Sequence, residues 1–115
     1  MIPKERKLNK EHFRLLRGGI IVHSPHLTLR VHRLQGGEQS RASFVVSSKI
    51  SGKSTERNKM KRGGYRVIKD LFPRIRSGLA LVFFFKKGAA EIKARAIQDE
   101  ITSLLLAAHA LQAPL

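Results

Sequence analysis

The sequence predicts a single α+β domain, and three observations predict it. The chain has 115 residues, 42% of them hydrophobic, enough for one modest core. Leu27, Leu29 and Val31 alternate with Thr28, Arg30 and His32, the two-residue period of a half-buried strand. Further on, apolar residues recur at helical spacing in two stretches, 55–72 and 90–111.

In chain order, residues 1–9 are polar and basic and read as a flexible N-terminus, with one domain over 10–112. Phe13, Leu15 and Leu16, followed by Gly18 and Gly19, predict a short helix over residues 10–17 with a glycine stop. Residues 20–22 read as a strand, Ser24 and Pro25 as a break, and the alternating segment as a second strand. Gly36 and Gly37 predict a turn into a third strand at 42–48, so that the second and third strands pair antiparallel. In the helix expected at 55–72, Met60, Val67 and Leu71 fall on one arc, which is expected to meet the sheet, and Pro73 ends the helix. Residues 79–85 are continuously apolar, as in a strand covered on both faces, hence a central one. Ala90, Ala94, Ile97, Ile101, Leu104, Ala108 and Leu111 then predict a long terminal helix packed on the sheet.

Charge narrows the function. Lys plus Arg number 23 against 8 Asp plus Glu, a formal +15, so a polyanion is the expected partner. The longest apolar run is far short of the roughly 20 residues that span a bilayer, and no secretory signal pattern is visible, so a cytoplasmic address without a membrane is expected. Zero Cys excludes disulfides and thiolate metal sites. Between residues 49 and 76 stand ten basic residues, opposed only by Glu56 and Asp70. On a helix, Asn58, Lys59, Arg62, Arg66 and Lys69 form a stripe opposite the apolar arc. A solvated face usually mixes signs to gain pairs at i, i+4, and this one does not, which favours phosphate binding. Asn58 suits a sugar hydroxyl or a neighbouring arginine, or alternatively caps the helix N-terminus.

Phe13, Phe44 and Tyr65 are the aromatics outside the final strand that could stack on unpaired bases, although for each one alone core packing is the commoner role. The five histidines include His23 and His26 at a ligand-like spacing, but no neighbouring Cys, Asp or Glu completes a metal site. Ser47, Ser48, Ser51 and Ser54 have no acid–base partner in view, and Gly52-Lys53-Ser54 lacks the upstream glycine of a phosphate loop. No catalytic residue is therefore expected in the protein itself.

The stretch Phe44-Val-Val-Ser-Ser-Lys-Ile-Ser-Gly-Lys-Ser-Thr-Glu-Arg-Asn-Lys-Met-Lys-Arg62 resembles the signature of the bacterial ribonuclease P protein family. There a strand ending in Val-Ser feeds a lysine-bearing loop and a helix that opens Arg-Asn-Arg. The Lys-Lys-Gly-Ala-Ala-Glu turn at 86–91 fits as well. The resemblance implies an αβββαβα order, a four-stranded mixed sheet with helices packed on it, and a left-handed βαβ crossover, as in domain 2 of ribosomal protein S5. It implies an endoribonuclease subunit acting in tRNA 5′ maturation, whose partners are a catalytic RNA and precursor tRNA, with no protein partner required. Catalysis belongs to that RNA and its Mg²⁺. Lys53, Arg57, Asn58, Lys59, Lys61, Arg62, Arg66 and Lys69 are the expected RNA-binding residues. Phe13, Phe44, Ser47 and Lys49 are the expected lining of a cleft, between the first helix and the sheet, for the single-stranded 5′ leader.

The sequence also departs from the family pattern. Lys59 replaces the commoner arginine, Ser48 a frequent lysine and Tyr65 a common arginine. Gly63 and Gly64 stand where good helix formers are usual, and predict a kinked or marginal helix. The other readings of the same composition are a structural RNA-binding protein, such as one bound to ribosomal RNA, and a stand-alone hydrolase using His or Ser.

Overall fold

A computed structural model describes residues 7–8, 19–34 and 39–112. Four strands, β1 (Ile20–His23), β2 (Leu27–Arg33), β3 (Arg41–Val45) and β4 (Leu79–Phe85), form one mixed sheet. Two helices accompany it, α1 (Ser54–Leu71) and α2 (Ala94–Ala107). The helix expected at 10–17, with Phe13, lies outside the described residues. Lys7 and Leu8, in the segment expected to be flexible, are placed against the fold: Lys7 bridges Ala42 in parallel, and Leu8 is buried.

The strand order is β1-β2-β4-β3. The antiparallel pairing expected between β2 and β3 is therefore wrong. β4 lies between them, antiparallel to β2 and parallel to β3. A parallel neighbour cannot be reached through a tight turn and needs a crossover, which α1 supplies. The apolar run of β4 earns its central place by burying both faces. Leu81, Phe83 and Phe85 join Leu27, Leu29, Val31, Ala42 and Phe44 in the main core, while Ala80 and Val82 meet Leu8 on the other side.

α1 presents Gly64, Tyr65 and Ile68 to the sheet. Met60, Val67 and Leu71, expected there, are only partly buried and sit about a quarter-turn away, at the rim of the core. The helix runs unbroken through both glycines, without the expected kink. A Cβ on Gly64 would stand 2.4 Å from the Phe44 ring, so that position requires the missing side chain. The same ring stacks on Phe83 at a centroid distance of 4.8 Å and meets Tyr65 edge-on at 5.0 Å. Such aromatic pairs contribute about 0.5–1.5 kcal/mol beyond their buried area. Among the described residues nothing beyond its chain neighbours and the helix's own backbone lies within 4 Å of the position a Cβ would take on Gly63.

Past Pro73 the chain makes one 3-10 turn, Phe72–Arg74. Its exit is tied to the C-terminus, where Ile75 bridges Leu111 and the Arg76 amide donates to the Ala110 carbonyl at 2.8 Å. The terminal helix is shorter than its apolar repeat, because Ala89–Glu91 form a separate 3-10 turn and Ala108 closes the last turn. Ile97, Ile101, Leu104 and Leu105 are its buried residues.

The two adjacent glycines separate cleanly by substitution. Gly64→Ala is expected to destabilise the fold by about 1–3 kcal/mol through overpacking. Gly63→Ala is expected to stabilise it by up to about 1 kcal/mol through helix propensity. Urea denaturation of the two variants checks the opposite signs.

Candidate nucleic-acid interface

Because Gly64, Tyr65 and Ile68 face the core, the positions on the far side of α1 are turned to solvent. Asn58, Lys59, Arg62, Arg66 and Lys69 are all exposed there, on one arc of the helix. Lys53 is the exposed N-cap and offers no side-chain capping bond. Asn58 lies in the second turn, so the capping role considered for it is excluded. Arg57 and Lys61 are half-buried on the flank next to the sheet, and Arg57 donates to the Ser51 carbonyl at 2.9 Å, fastening the loop that leads into α1.

Among the described residues the only ion pair within 4.0 Å is His26 with Glu100, so no lysine or arginine of the stripe is paired with a carboxylate. Lys53–Arg57, Arg57–Lys61 and Arg62–Arg66 stand at i, i+4, where like charges oppose helix formation by about 0.2–0.5 kcal/mol a pair. Arg66 and Asp70 are the one opposite-charge pair at that spacing, so like-charge spacings outnumber it along this helix.

The aromatic expectation needs correction. Phe44 is 3% exposed and points into the core between sheet and α1, so its ring is not open to stack on a base. Tyr65 is buried too, its hydroxyl accepting from the Phe44 amide at 3.4 Å. Ser47 and Lys49 are exposed just beyond β3. Sequence reasoning missed the opposite sheet face, where Thr28, Ser43, Val45 and Phe84 are half-buried beside the exposed Arg30. The signal was present in the two-residue period: Phe44 and its neighbours Ser43 and Val45 must point to opposite sides.

His26 found a partner that sequence spacing did not offer. Its ring Nδ1 donates to Glu100 Oε2 at 2.7 Å, and its amide donates to Oε1 at 2.8 Å. Ser24 Oγ also donates to Glu100, and Lys86 Nζ donates to the Ser24 carbonyl at 2.8 Å. Ser24 addresses the carboxylate rather than the imidazole, so this is a clamp of the β1–β2 turn onto α2 and not a nucleophile with its base. Burial raises the Glu100 pKa, but the hydrogen bonds from Ser24 and His26 outweigh it and hold the carboxyl below its usual value. Among the described residues no three His, Cys, Asp or Glu side chains converge as a metal site, and no helix is long and apolar enough to cross a membrane.

Fold and surface together define a class: a small basic α+β protein whose crossover helix displays a row of unpaired cations. The family model described as Ribonuclease P matches residues 2–109, and the chain belongs to the ribonuclease P protein family. It is similar to the ribonuclease P protein component of Microcystis aeruginosa, 33% identical over 70 residues, a match that takes in 61% of this chain and 58% of that protein's length. Among solved structures, a Staphylococcus aureus RNase P protein mutant with defective mRNA degradation activity is similar at TM-score 0.84 and 20% identity, over 94% of this chain and 92% of that one. The RNase P protein from Thermotoga maritima is similar at TM-score 0.75 and 23% identity, over 86% and 94%. These likenesses bear out the family resemblance and the four-stranded mixed sheet.

The clamp gives a pH prediction with a definite sign. A carboxyl held low in the folded state adds stability above its unfolded pKa, about 4.3, and loses it as pH falls through the folded value. Glu100→Gln should therefore lower the thermal midpoint at pH 7, with the gap to the parent closing in acid. A gap that stayed constant down to pH 2.5 would show that the charge of Glu100 plays no part.

Proposed function

We propose that this chain is the protein subunit of a ribonuclease P, binding the catalytic RNA through the exposed stripe of α1. In this reading it also receives the 5′ leader of precursor tRNA, whose endonucleolytic removal generates mature tRNA 5′ ends. The observation that carries the reading is the stripe of unpaired cations on the helix that carries the family signature. Lys59, Arg62, Arg66 and Lys69 neutralise phosphates and release counterions, and the arginines add a planar fork matched to phosphate oxygens. Lys53 and Arg57 stand at the positive end of the helix dipole, which strengthens their pull on an anion.

The leader is assigned to the sheet face away from the helices. Phe84 offers a partly open ring there, Thr28 and Ser43 offer hydroxyls, and Arg30 offers a cation. Ser47, in step with Ser43 and Val45, and Lys49 extend that surface past the end of β3. Phe13 keeps its assignment on family grounds alone.

In this reading the Mg²⁺ ions that serve phosphodiester hydrolysis belong to the RNA. The chain's own contribution is binding and screening of charge, by which it raises the affinity of the assembly for substrate and for metal.

Reconstitution tests the reading. Added to a competent bacterial ribonuclease P RNA, the chain should confer cleavage of precursor tRNA at a Mg²⁺ concentration where the RNA alone is inactive. Failure with an RNA that another family member activates would overturn it. Arg62→Ala should weaken binding to that RNA and reduce the slope of log K against log salt by about 0.7–0.9. An unchanged slope would remove Arg62 from the phosphate contacts.

A further inference from the structure

A groove of about 1560 Å³ separates α1 from α2, and Gly63 lies in its lining. Resting on the RNA-binding reading above, we propose that this groove seats the sugar–phosphate backbone of the catalytic RNA. Gly63 is then the point of closest approach, and Arg95 of α2 is a phosphate ligand on the wall facing α1.

Three observations converge. First, the paired glycines of α1 do different things. Gly64 is required by the Phe44 ring, whereas among the described residues no atom beyond the neighbouring residues and the helix's own backbone comes within 4 Å of the Gly63 Cβ position, so the described fold supplies no reason for a mid-helix glycine there. Glycine in such a place marks close backbone approach to a ligand. Second, the groove carries cations on both sides, Lys59, Arg62 and Arg66 on α1 and Arg95 on α2. Among the described residues none of these is paired with a carboxylate within 4.0 Å. Third, the carboxylates that also line it stand clear of Gly63 along α1. Glu56 and Asp70 are each seven residues away, about 10 Å along the helix axis, while Arg62 and Arg66 flank Gly63. Asp99 is the remaining acid and lies on α2, one turn beyond Arg95.

The charge decides the occupant. Unpaired arginines on facing walls complement a strand that carries one negative charge per nucleotide. A second copy of this chain, itself at +15, would bring repulsion instead. Since α1 alone would meet the RNA on its outer arc, the groove adds a second wall and fixes the direction in which the backbone runs. Gln98, also in the lining, has an amide that can donate to or accept from a ribose hydroxyl.

The test uses the full-length chain and an in vitro transcript of a bacterial ribonuclease P RNA. Binding is measured as a function of salt, and folding by the thermal midpoint. Gly63→Gln places a good helix former in open space, so its midpoint should match or exceed the parent's while RNA binding weakens about tenfold. Arg95→Ala, on the exposed wall, should fold normally and lower the salt slope by about 0.7–0.9. If Gly63→Gln loses stability, Arg95→Ala alone decides. Parental affinity in a stable Gly63→Gln, or an unchanged slope in Arg95→Ala, overturns the groove assignment. Loss of affinity in Arg62→Ala in that same experiment would leave the broader RNA-binding reading standing, whereas failure of the parent chain to bind the transcript at low salt would take both away. Sedimentation that showed a dimer abolished by Gly63→Gln would give the groove to a second copy and overturn the proposal.

Discussion

The close contact between the Gly64 backbone and the Phe44 ring sets the rotation of α1 about its own axis. With no side chain between helix and ring, the helix settles onto the sheet, and Tyr65 and Ile68 are buried with it. Successive residues turn by about 100°, so fixing residue 64 also fixes Lys59, Arg62, Arg66 and Lys69 as outward-facing. A methyl group at 64 would have to lift or roll the helix, and either motion would turn the stripe. Phe44 is also the register partner of Phe83, on which it stacks, so the pairing of β3 with β4 and the aim of the cations share one side chain.

Sheet topology makes that arrangement hard to escape. β3 and β4 are parallel neighbours, and α1 is the connection between them. Its two ends are held by the sheet, through the Ser51 loop that Arg57 fastens and through the 3-10 turn at Phe72–Arg74. A helix with several like-charge pairs and a mid-helix glycine would be marginal by itself. Here tertiary packing carries it, which is how most helices in proteins are stabilised.

How much of this was legible in the sequence depends on the range of the interaction concerned. The two-residue period of β2, the unbroken apolar run of β4 and the one-sided cations of α1 are local patterns, and each reports its element and its exposure directly. Which strand lies beside which is a non-local matter. Gly36 and Gly37 suggested a turn between β2 and β3, yet a glycine pair says only that the chain can bend, not that β4 will insert between the strands. The sheet-facing arc of α1 was misjudged because an apolar count passes over glycine: Gly64 is buried but adds nothing to a hydrophobic pattern, so Met60, Val67 and Leu71 drew the eye a quarter-turn too far. Phe44 was placed on an open cleft although Ala42 in β3 and Val46 just past its end, in step with it and buried, put it on the core side. Glu100 escaped notice because its partners, Ser24 and His26, lie more than seventy residues upstream.

Stability and binding draw on one charge distribution. The carboxylate most firmly held in the described structure, Glu100, is on the other helix and engaged with Ser24 and His26, so it relieves none of the repulsion along α1. Salt screens exposed charges only beyond about 8 Å at physiological strength, and neighbours at i, i+4 are closer than that. The repulsion therefore persists in the free protein, and on the proposed reading phosphates between the cations would lift it. A ligand that binds the folded state alone stabilises it in proportion to the logarithm of its concentration over Kd. With a polyanion bound as proposed, the arrangement that weakens α1 in isolation would couple its order to occupancy, and the hydrophobic seat of Gly64, Tyr65 and Ile68 against Phe44 is what keeps the helix in place without one.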